Sequence, residues 1–243
     1  MQLSKLLAHS GLCSRRDAKD IIKSGKVTVN GVVQENPLTK VSEKDFVKLN
    51  GKRVRVLVEP RLWIYNKPKG VVTSHKDPEG RKTVFASLPK NLPRLVSVGR
   101  LDINSEGLLL LTNNGEVARF FELPINKFKR IYHVRVYGKV NAKELGKLKN
   151  GCIIDGIRYG SVLVHILEFG HHNHWLSVSL TEGKNREIRR IMNHLGLEVS
   201  RLIRVSYGPY ELGGLSKGNI LEVDLDNVYN SRKIPGTKNQ DGT

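Results

Sequence analysis

Val96-Ser97-Val98-Gly99-Arg100-Leu101-Asp102-Ile103-Asn104-Ser105-Glu106-Gly107-Leu108-Leu109-Leu110-Leu111-Thr112 sets a carboxylate on a loop between two apolar strands. One strand leads into Gly-Arg-Leu-Asp and the second leaves after Gly107. Loops fixed by a rigid sheet are where catalytic groups commonly sit. An aspartate in such a place can equally be a turn-former that binds its own backbone. Local physics leaves the two roles of Asp102 open. Asp77, in His75-Lys76-Asp77-Pro78-Glu79-Gly80, reads as a turn residue of the second kind.

Strand-like runs surround this segment: Leu62 to Tyr65, Gly107 to Thr112, Ile131 to Tyr137, Ser161 to Phe169 and Trp175 to Leu180. Helical patterns interrupt them at Gly115 to Phe121, Ala142 to Lys149 and Asn185 to Leu195. Strands with scattered helices and no strict alternation point to an α+β fold with a mixed, mostly antiparallel central sheet. This region is expected to span residues 61–229. The polar stretch 230–243, with Pro235, Gly236 and Gly242, is expected to be a disordered tail.

Before it, residues 1–58 read as a separate module, joined through Glu59-Pro60-Arg61. A first helix runs through Leu3, Leu6 and Leu7 and stops near Gly11. Ser14 suits the N-cap of a second helix, Arg15 to Ser24, with Ala18, Ile21 and Ile22 on one face and Gly25 as its stop. The polar face of that helix carries Arg15, Arg16, Lys19 and Lys23. Lys26-Val27-Thr28-Val29 alternates like a strand and runs into Asn30-Gly31, a strong hairpin signal. A second pair, Asn50-Gly51, joins Phe46–Leu49 to Val54-Arg55-Val56. The stretch Leu6 to Ala18 followed by Gly25-Lys26-Val27-Thr28-Val29-Asn30-Gly31 resembles the alpha-L RNA-binding domain of the kind found in the fourth small-subunit ribosomal protein. The resemblance implies that the Arg15/Arg16/Lys19 helix, with Lys26 beside it, meets folded RNA through phosphates and shape.

Charge agrees with that partner. Lysine and arginine number 41 against 23 acids, a formal +18 over 243 residues. Such an excess suits a polyanion, because neutralising phosphates releases condensed counterions. The two cysteines, Cys13 and Cys152, show no metal-ligand spacing and read as free thiols of a reducing compartment. No apolar run of membrane length and no secretory leader is visible, so a soluble, cytoplasmic protein is expected.

Two further segments carry chemistry. In Lys129 to Val136, alternation puts Tyr132, Val134 and Val136 on the covered face and Ile131, His133 and Arg135 on the other. Tyr132 there is core, or an aromatic surface for an unstacked base. In Thr181 to Gly196, Ile188, Ile191, Met192 and Leu195 form a buried helical stripe, with Asn185/Arg189 and Arg186/Arg190 each sharing a turn. The Gly183-Lys184-Asn185-Arg186 turn suits a backbone-donor site for phosphate, without the pattern of a nucleotide-triphosphate loop.

These segments, in this order and spacing, closely resemble the pseudouridine synthases of the RsuA/RluB family, within it the large-subunit branch. Tyr65 to Gly70, Asp77 to Phe85 and Val199 to Val205 extend the likeness over about residues 1 to 225. The resemblance implies a mostly antiparallel catalytic domain, no cofactor and no metal. It places the family's catalytic aspartate on Asp102, its active-site tyrosine on Tyr132 and its basic residue on Arg189. Some members have glutamine where Glu187 stands, and Ser105 and Asn114 replace a common threonine and aspartate; none of these swaps removes a reacting group. Glu187 favours the large-subunit branch over the small-subunit enzymes.

The implied reaction breaks the N1–C1′ bond of a uridine, turns the base and joins C5 to C1′. A carboxylate near C1′ helps by covalent attack or by charge stabilisation, and a base must take the C5 proton. Arg189 is expected to keep Asp102 ionised, and Tyr132 to stack on the extruded uracil. Arg100, Lys184, Asn185, Arg186 and Arg190 join Arg15, Arg16, Lys19 and Lys26 as RNA-binding candidates. The expected partner is large-subunit ribosomal RNA, met by a monomer. The alternatives are a small-subunit enzyme or a non-catalytic ribosome assembly factor resting on the basic module. His171-His172-Asn173-His174 suggests a metal-dependent hydrolase only distantly; with no helical i,i+4 pair, these histidines read as a solvated turn.

Overall fold

The computed structural model describes residues 1–42, 44–54 and 59–225. These fall into two compact units. One comprises Met1–Pro60 with Pro89–Val96 and Thr112–Val117; the other holds the rest.

In the first unit, α1 (Leu3–His9) and α2 (Arg15–Lys23) precede four short strands, β1 (Val27–Val29), β2 (Val32–Val33), β3 (Val47–Leu49) and β4 (Lys52–Arg53). A capping box starts α2: the Ser14 hydroxyl accepts from the Asp17 amide at 3.0 Å and the Asp17 carboxylate accepts from the Ser14 amide. Leu3, Leu6, Leu7, Ala18, Ile22, Val27 and Val47 close the core. Both hairpin turns need left-handed backbone, which Asn30 and Gly31 adopt at φ 52° and 88° and Asn50 and Gly51 at 48° and 76°. The sheet order is β2-β1-β3-β4. In the second hairpin the described part of the outgoing strand is Lys52–Arg53, directly after the turn. Val54 follows as a buried core residue, and Arg55 and Val56 lie outside the described residues. So does the expected tail at 230–243.

The second unit is built on a nine-stranded sheet. The elements after Pro60 are β5 (Leu62–Lys67), β6 (Val96–Ser97), β7 (Glu106–Thr112), α3 (Gly115–Glu122), β8 (Arg130–Tyr137), α4 (Ala142–Lys147), β9 (Cys152–Ile154), β10 (Ile157–Tyr159), β11 (Leu163–Phe169), β12 (Asn173–Leu180), α5 (Glu187–His194), β13 (Glu198–Tyr207), β14 (Tyr210–Glu211) and β15 (Ile220–Val223). The sheet runs β11-β12-β8-β13-β7-β5-β15, with β14 beside β13 and β6 beside β7; β9 and β10 form a separate hairpin. The β11–β12, β12–β8, β8–β13 and β5–β15 pairs are antiparallel and β13–β7 is parallel, so the α+β, mostly antiparallel expectation holds. Gly107 makes the parallel seam: it sits opposite Arg204 at φ 97°, and a Cβ there would lie 2.3 Å from the Arg204 carbonyl oxygen.

β13 was not foreseen as a strand, although its ten residues form the spine of the sheet. Its inner positions include Arg204 and Ser206, both buried, and these break the apolar alternation that marks a strand. The helix expected from Asn185 begins two residues later. Arg186 is left-handed at φ 50°, as the N-cap of α5, so neither Asn185/Arg189 nor Arg186/Arg190 is a pair within the helix. The histidine run is not wholly a solvated turn. His174 is a residue of β12, 2% exposed, with Nε2 on the Gly138 carbonyl at 3.0 Å and its ring against Phe169. His171 and His172 are exposed.

Candidate active site

The loop that carries Asp102 is held by its own carbonyls. Thr73 Oγ1 donates to Leu101 O at 2.9 Å, and the Gly70 amide to Ile103 O at 2.8 Å. Lys67 Nζ, at the end of β5, donates to Asp102 O at 3.1 Å, Ser105 O at 2.9 Å and Pro68 O at 3.1 Å. The Ser105 amide closes a turn onto Asp102 O at 3.0 Å, and Arg189 Nη2 reaches Asn104 O at 3.0 Å. Every carbonyl from Leu101 to Ser105 is thereby bonded.

The Asp102 carboxylate, in contrast, accepts no hydrogen bond and forms no ion pair among the described residues. Asp77 shows what a structural loop aspartate does. Its carboxylate accepts from the Arg81 amide at 2.8 Å and from the Arg81 guanidinium at 3.0 and 2.7 Å. That pairing holds the Asp77 carboxyl below the usual carboxylate range. The turn-former role left open for Asp102 is therefore not the one it plays: its backbone is fixed and its side chain is free.

Asp102 opens into a cleft of about 560 Å³. Tyr132, on β8 and 8% exposed, lines the same cleft with the two valines of its strand face behind it. Arg100, Lys184, Asn185 and Arg186 also line it. Arg189 does not; it sits half-buried behind the Asp102 loop, with Nη1 on Val199 O at 2.9 Å. Burial and the nearby Arg186 depress its pKa, and Asp102 opposes them, so Asp102 and Arg189 feel each other's charge without an ion pair. Arg190 is exposed outside the cleft lining, and Arg15, Arg16, Lys19 and Lys26 are exposed on the first unit. The turn at Gly183–Arg186 is less open to phosphate than expected. The Lys184 amide donates to Glu187 Oε2 at 2.9 Å, and its ammonium is held by Glu182 at 2.6 Å and Arg158 O at 2.7 Å.

Several site residues had no sequence signal of their own. Lys67 is fully buried, and burial pushes its pKa down to about 8 against the pull of Asp102 and Glu106. A lysine closing an apolar strand was the available hint. Arg130 and Arg204 form the inner wall of the cleft, their guanidinium groups 4.8 and 5.0 Å from the Tyr207 ring centroid. Arg130 Nη2 also donates to the Tyr207 hydroxyl at 2.8 Å, and Arg204 Nε to Leu108 O at 2.7 Å. Glu106 starts β7 between Arg201 and Lys217; hydrogen bonds from these cations, Arg201 foremost, hold its pKa at about 2 despite burial. Among the described residues, no group of three or more His, Cys, Asp or Glu is arranged to hold a metal ion. Nor is any helix long and apolar enough to cross a membrane.

A free carboxylate on a clamped loop, facing an aromatic ring and several cations, defines a site for chemistry on a polyanionic substrate. Comparison with known proteins gives that class its name. Residues 61–194 match the family described as RNA pseudouridylate synthase, and residues 1–47 match the S4 domain. An uncharacterized RNA pseudouridine synthase of Rickettsia conorii is 47% identical over 92% of this chain and 96% of its own length. The ribosomal large subunit pseudouridine synthase B of Yersinia pestis is 38% identical over 92% of this chain and 73% of its own. A crystal structure of a pseudouridylate synthase superposes with a TM-score of 0.66, covering 93% of this chain and 97% of that one, at 23% identity, a likeness of fold. The chain belongs to the RNA pseudouridylate synthase family and is an isomerase.

Proposed function

We propose that the protein converts a specific uridine of large-subunit ribosomal RNA to pseudouridine, with Asp102 as the carboxylate that acts at C1′. The free carboxylate on a loop whose carbonyls are all bonded is the observation that carries this reading. Preorganised charge of this kind acts on the developing positive charge at C1′ with no reorganisation in the transition state. Tyr132 offers its ring to the extruded uracil, and Arg189 braces the Asp102 loop at Asn104. Extruding the base costs roughly a few kcal/mol, least where it is already unpaired. Arg100, Asn185 and Arg186 face the RNA backbone at the cleft, and Arg15, Arg16, Lys19 and Lys26 meet folded RNA on the first unit. The large-subunit assignment is supported by the likeness to the Yersinia enzyme along most of the chain. A cytoplasmic monomer fits this role.

The test is tritium release from C5-labelled uridine in ribosomal RNA by the wild type and by Asp102→Asn. The asparagine variant is expected to release none, with an unchanged melting temperature. Release at the wild-type rate would refute the assignment. Mapping pseudouridines in cells with and without the protein then identifies the subunit.

A further inference from the structure

Glu187, 4% exposed at the start of α5, is brought beside Glu182 of the preceding loop by Lys184, whose amide bonds the one carboxyl group and whose ammonium bonds the other. Its Oε2 accepts the Lys184 amide at 2.9 Å, while its Oε1 is buried and meets no partner. Glu182 is better supplied: it accepts the Gly160 amide on one oxygen and the Lys184 ammonium, at 2.6 Å, on the other. Two ionised carboxylates are both acceptors and cannot bond to each other. Contact between them is held when one carries a proton and donates it. Glu182, with a cation and an amide, is the one that stays ionised, which leaves the proton for Glu187.

We propose that Glu187 carries a proton below neutral pH and sheds it above, and that in the protonated form it donates to Glu182 and positions the Thr181–Arg186 loop at the mouth of the cleft. This rests on reading the cleft as an RNA site. The loop is tied down at several points: Glu182 to Gly160, Lys184 to Arg158 O, and Arg130 Nη1 to Thr181 O at 3.3 Å. It delivers Lys184, Asn185 and Arg186 to the cleft lining. Loss of the proton would set two like charges in contact and add a negative charge where RNA phosphates approach.

The surroundings favour the neutral form. Burial comes first, then the Glu182 carboxylate; together they outweigh the Lys184 amide and ammonium and push Glu187 up to about 7. From β9, Cys152 adds no positive charge; its thiol is itself raised by burial and by these two glutamates. From β13, Arg201 is paired with Glu106 and Arg204 is bonded to Leu108 O. Arg130 of β8 is engaged with Thr181 O and Tyr207, and the exposed Arg186 and Arg190 are not bonded to Glu187.

Steady-state kinetics on an rRNA transcript from about pH 5.5 to 9 test the idea. In the wild type, KM is expected to rise about fivefold as pH passes through about 7, with kcat nearly level, the size of one added like charge near phosphate. Glu187→Gln, a neutral side chain that keeps a donor, should retain the low KM and lose the pH dependence. Glu182→Gln, which offers a donor to an ionised Glu187, should move the rise away from neutral pH. A carboxyl-carbon NMR titration of Glu187 without RNA reads the proton directly, so it separates this proposal from the functional reading. A midpoint near 7 supports the protonated pair, and one near the ordinary value of about 4 overturns it whatever the activity. An unaltered KM profile in Glu187→Gln, a collapse of its kcat at every pH, or failure of that variant to fold would also overturn it.

Discussion

Replacing Lys67 with methionine removes the ammonium that holds the Asp102 loop and keeps a flexible side chain of similar reach. Three carbonyls lose a donor, those of Pro68, Asp102 and Ser105. A buried carbonyl without a partner costs about 1–3 kcal/mol. Of the three bonds only the one to Ser105 is fully buried, and Asp102 O keeps the Ser105 amide, so the realised loss is roughly 2–4 kcal/mol. Against it stands the penalty of burying the charge. The fall in the Lys67 pKa from its usual 10.5 to about 8 corresponds to ~3 kcal/mol, and methionine escapes it. The two nearly cancel, leaving a net loss below about 2 kcal/mol and a fall in Tm of a few degrees. Catalysis has no such compensation, because a reacting group misplaced by about 1 Å loses rate by roughly 100-fold. Lys67→Met is therefore expected to fold, to melt within about 8 °C of the wild type, and to release tritium from C5-labelled uridine about 100-fold more slowly under saturating RNA. A kcat within about threefold of the wild type would refute the reasoning, since the loop would then keep its geometry without the clamp.

Three further changes probe other parts of the argument. Gly107→Ala places a methyl group 2.3 Å from the Arg204 carbonyl oxygen and 2.9 Å from its amide nitrogen, at φ 97°, so neither backbone can yield. A loss above about 4 kcal/mol is expected, read as a failure to fold or a broad, early thermal transition. Tyr132→Phe, which keeps the ring, should retain far more activity than Tyr132→Leu, whose kcat/KM is expected to fall about 5- to 100-fold if stacking on the base is the ring's role. Equal losses in the two would assign the role to the hydroxyl instead. The double change Arg15→Ala and Arg16→Ala should raise KM for ribosomal RNA with kcat unchanged, and flatten the log–log salt dependence of binding by about 1.5. An unaltered salt slope would remove these arginines from the RNA contact.

What was legible in the sequence is what depends on neighbours along the chain. Ser14 capping α2, and Asn-Gly pairs turning two hairpins, are short-range events; each appears where expected. The alternation that put Tyr132 with Val134 and Val136 likewise shows as buried positions two apart along β8. β13 escaped because its inward positions are not all apolar. Arg204 can be buried there only because Leu108 O on the parallel neighbour strand accepts its Nε and the Tyr207 ring lies against its guanidinium. Neither partner is visible from the local pattern. The start of α5 was misplaced for a similar reason. Helical spacing of apolar residues says where a stripe lies, not where the backbone turns left-handed, and Arg186 does so just before the stripe begins.

The site shows the same division more sharply. Sequence pattern pointed to Asp102 as a loop carboxylate but could not say whether it was a turn-former, because that depends on who receives the hydrogen bonds. Around Asp77 the donors go to the carboxylate; around Asp102 they go to the carbonyls, and apart from the Ser105 amide they come from Lys67, Gly70, Thr73 and Arg189, residues 29 to 87 positions away. A loop held in that way has already met the entropic cost of ordering during folding, and its carboxylate needs no rearrangement to meet a substrate. This also recasts Arg189. A guanidinium bonded directly to Asp102 would fix the carboxylate and have to be displaced before that group could act at C1′. Bonded to Asn104 O and Val199 O instead, it leaves the carboxylate oxygens open. Changing Arg189 to lysine, which keeps the charge but cannot span both carbonyls, is thus expected to lower kcat by loosening the Asp102 loop. A kcat equal to that of the wild type would show that the brace does not matter.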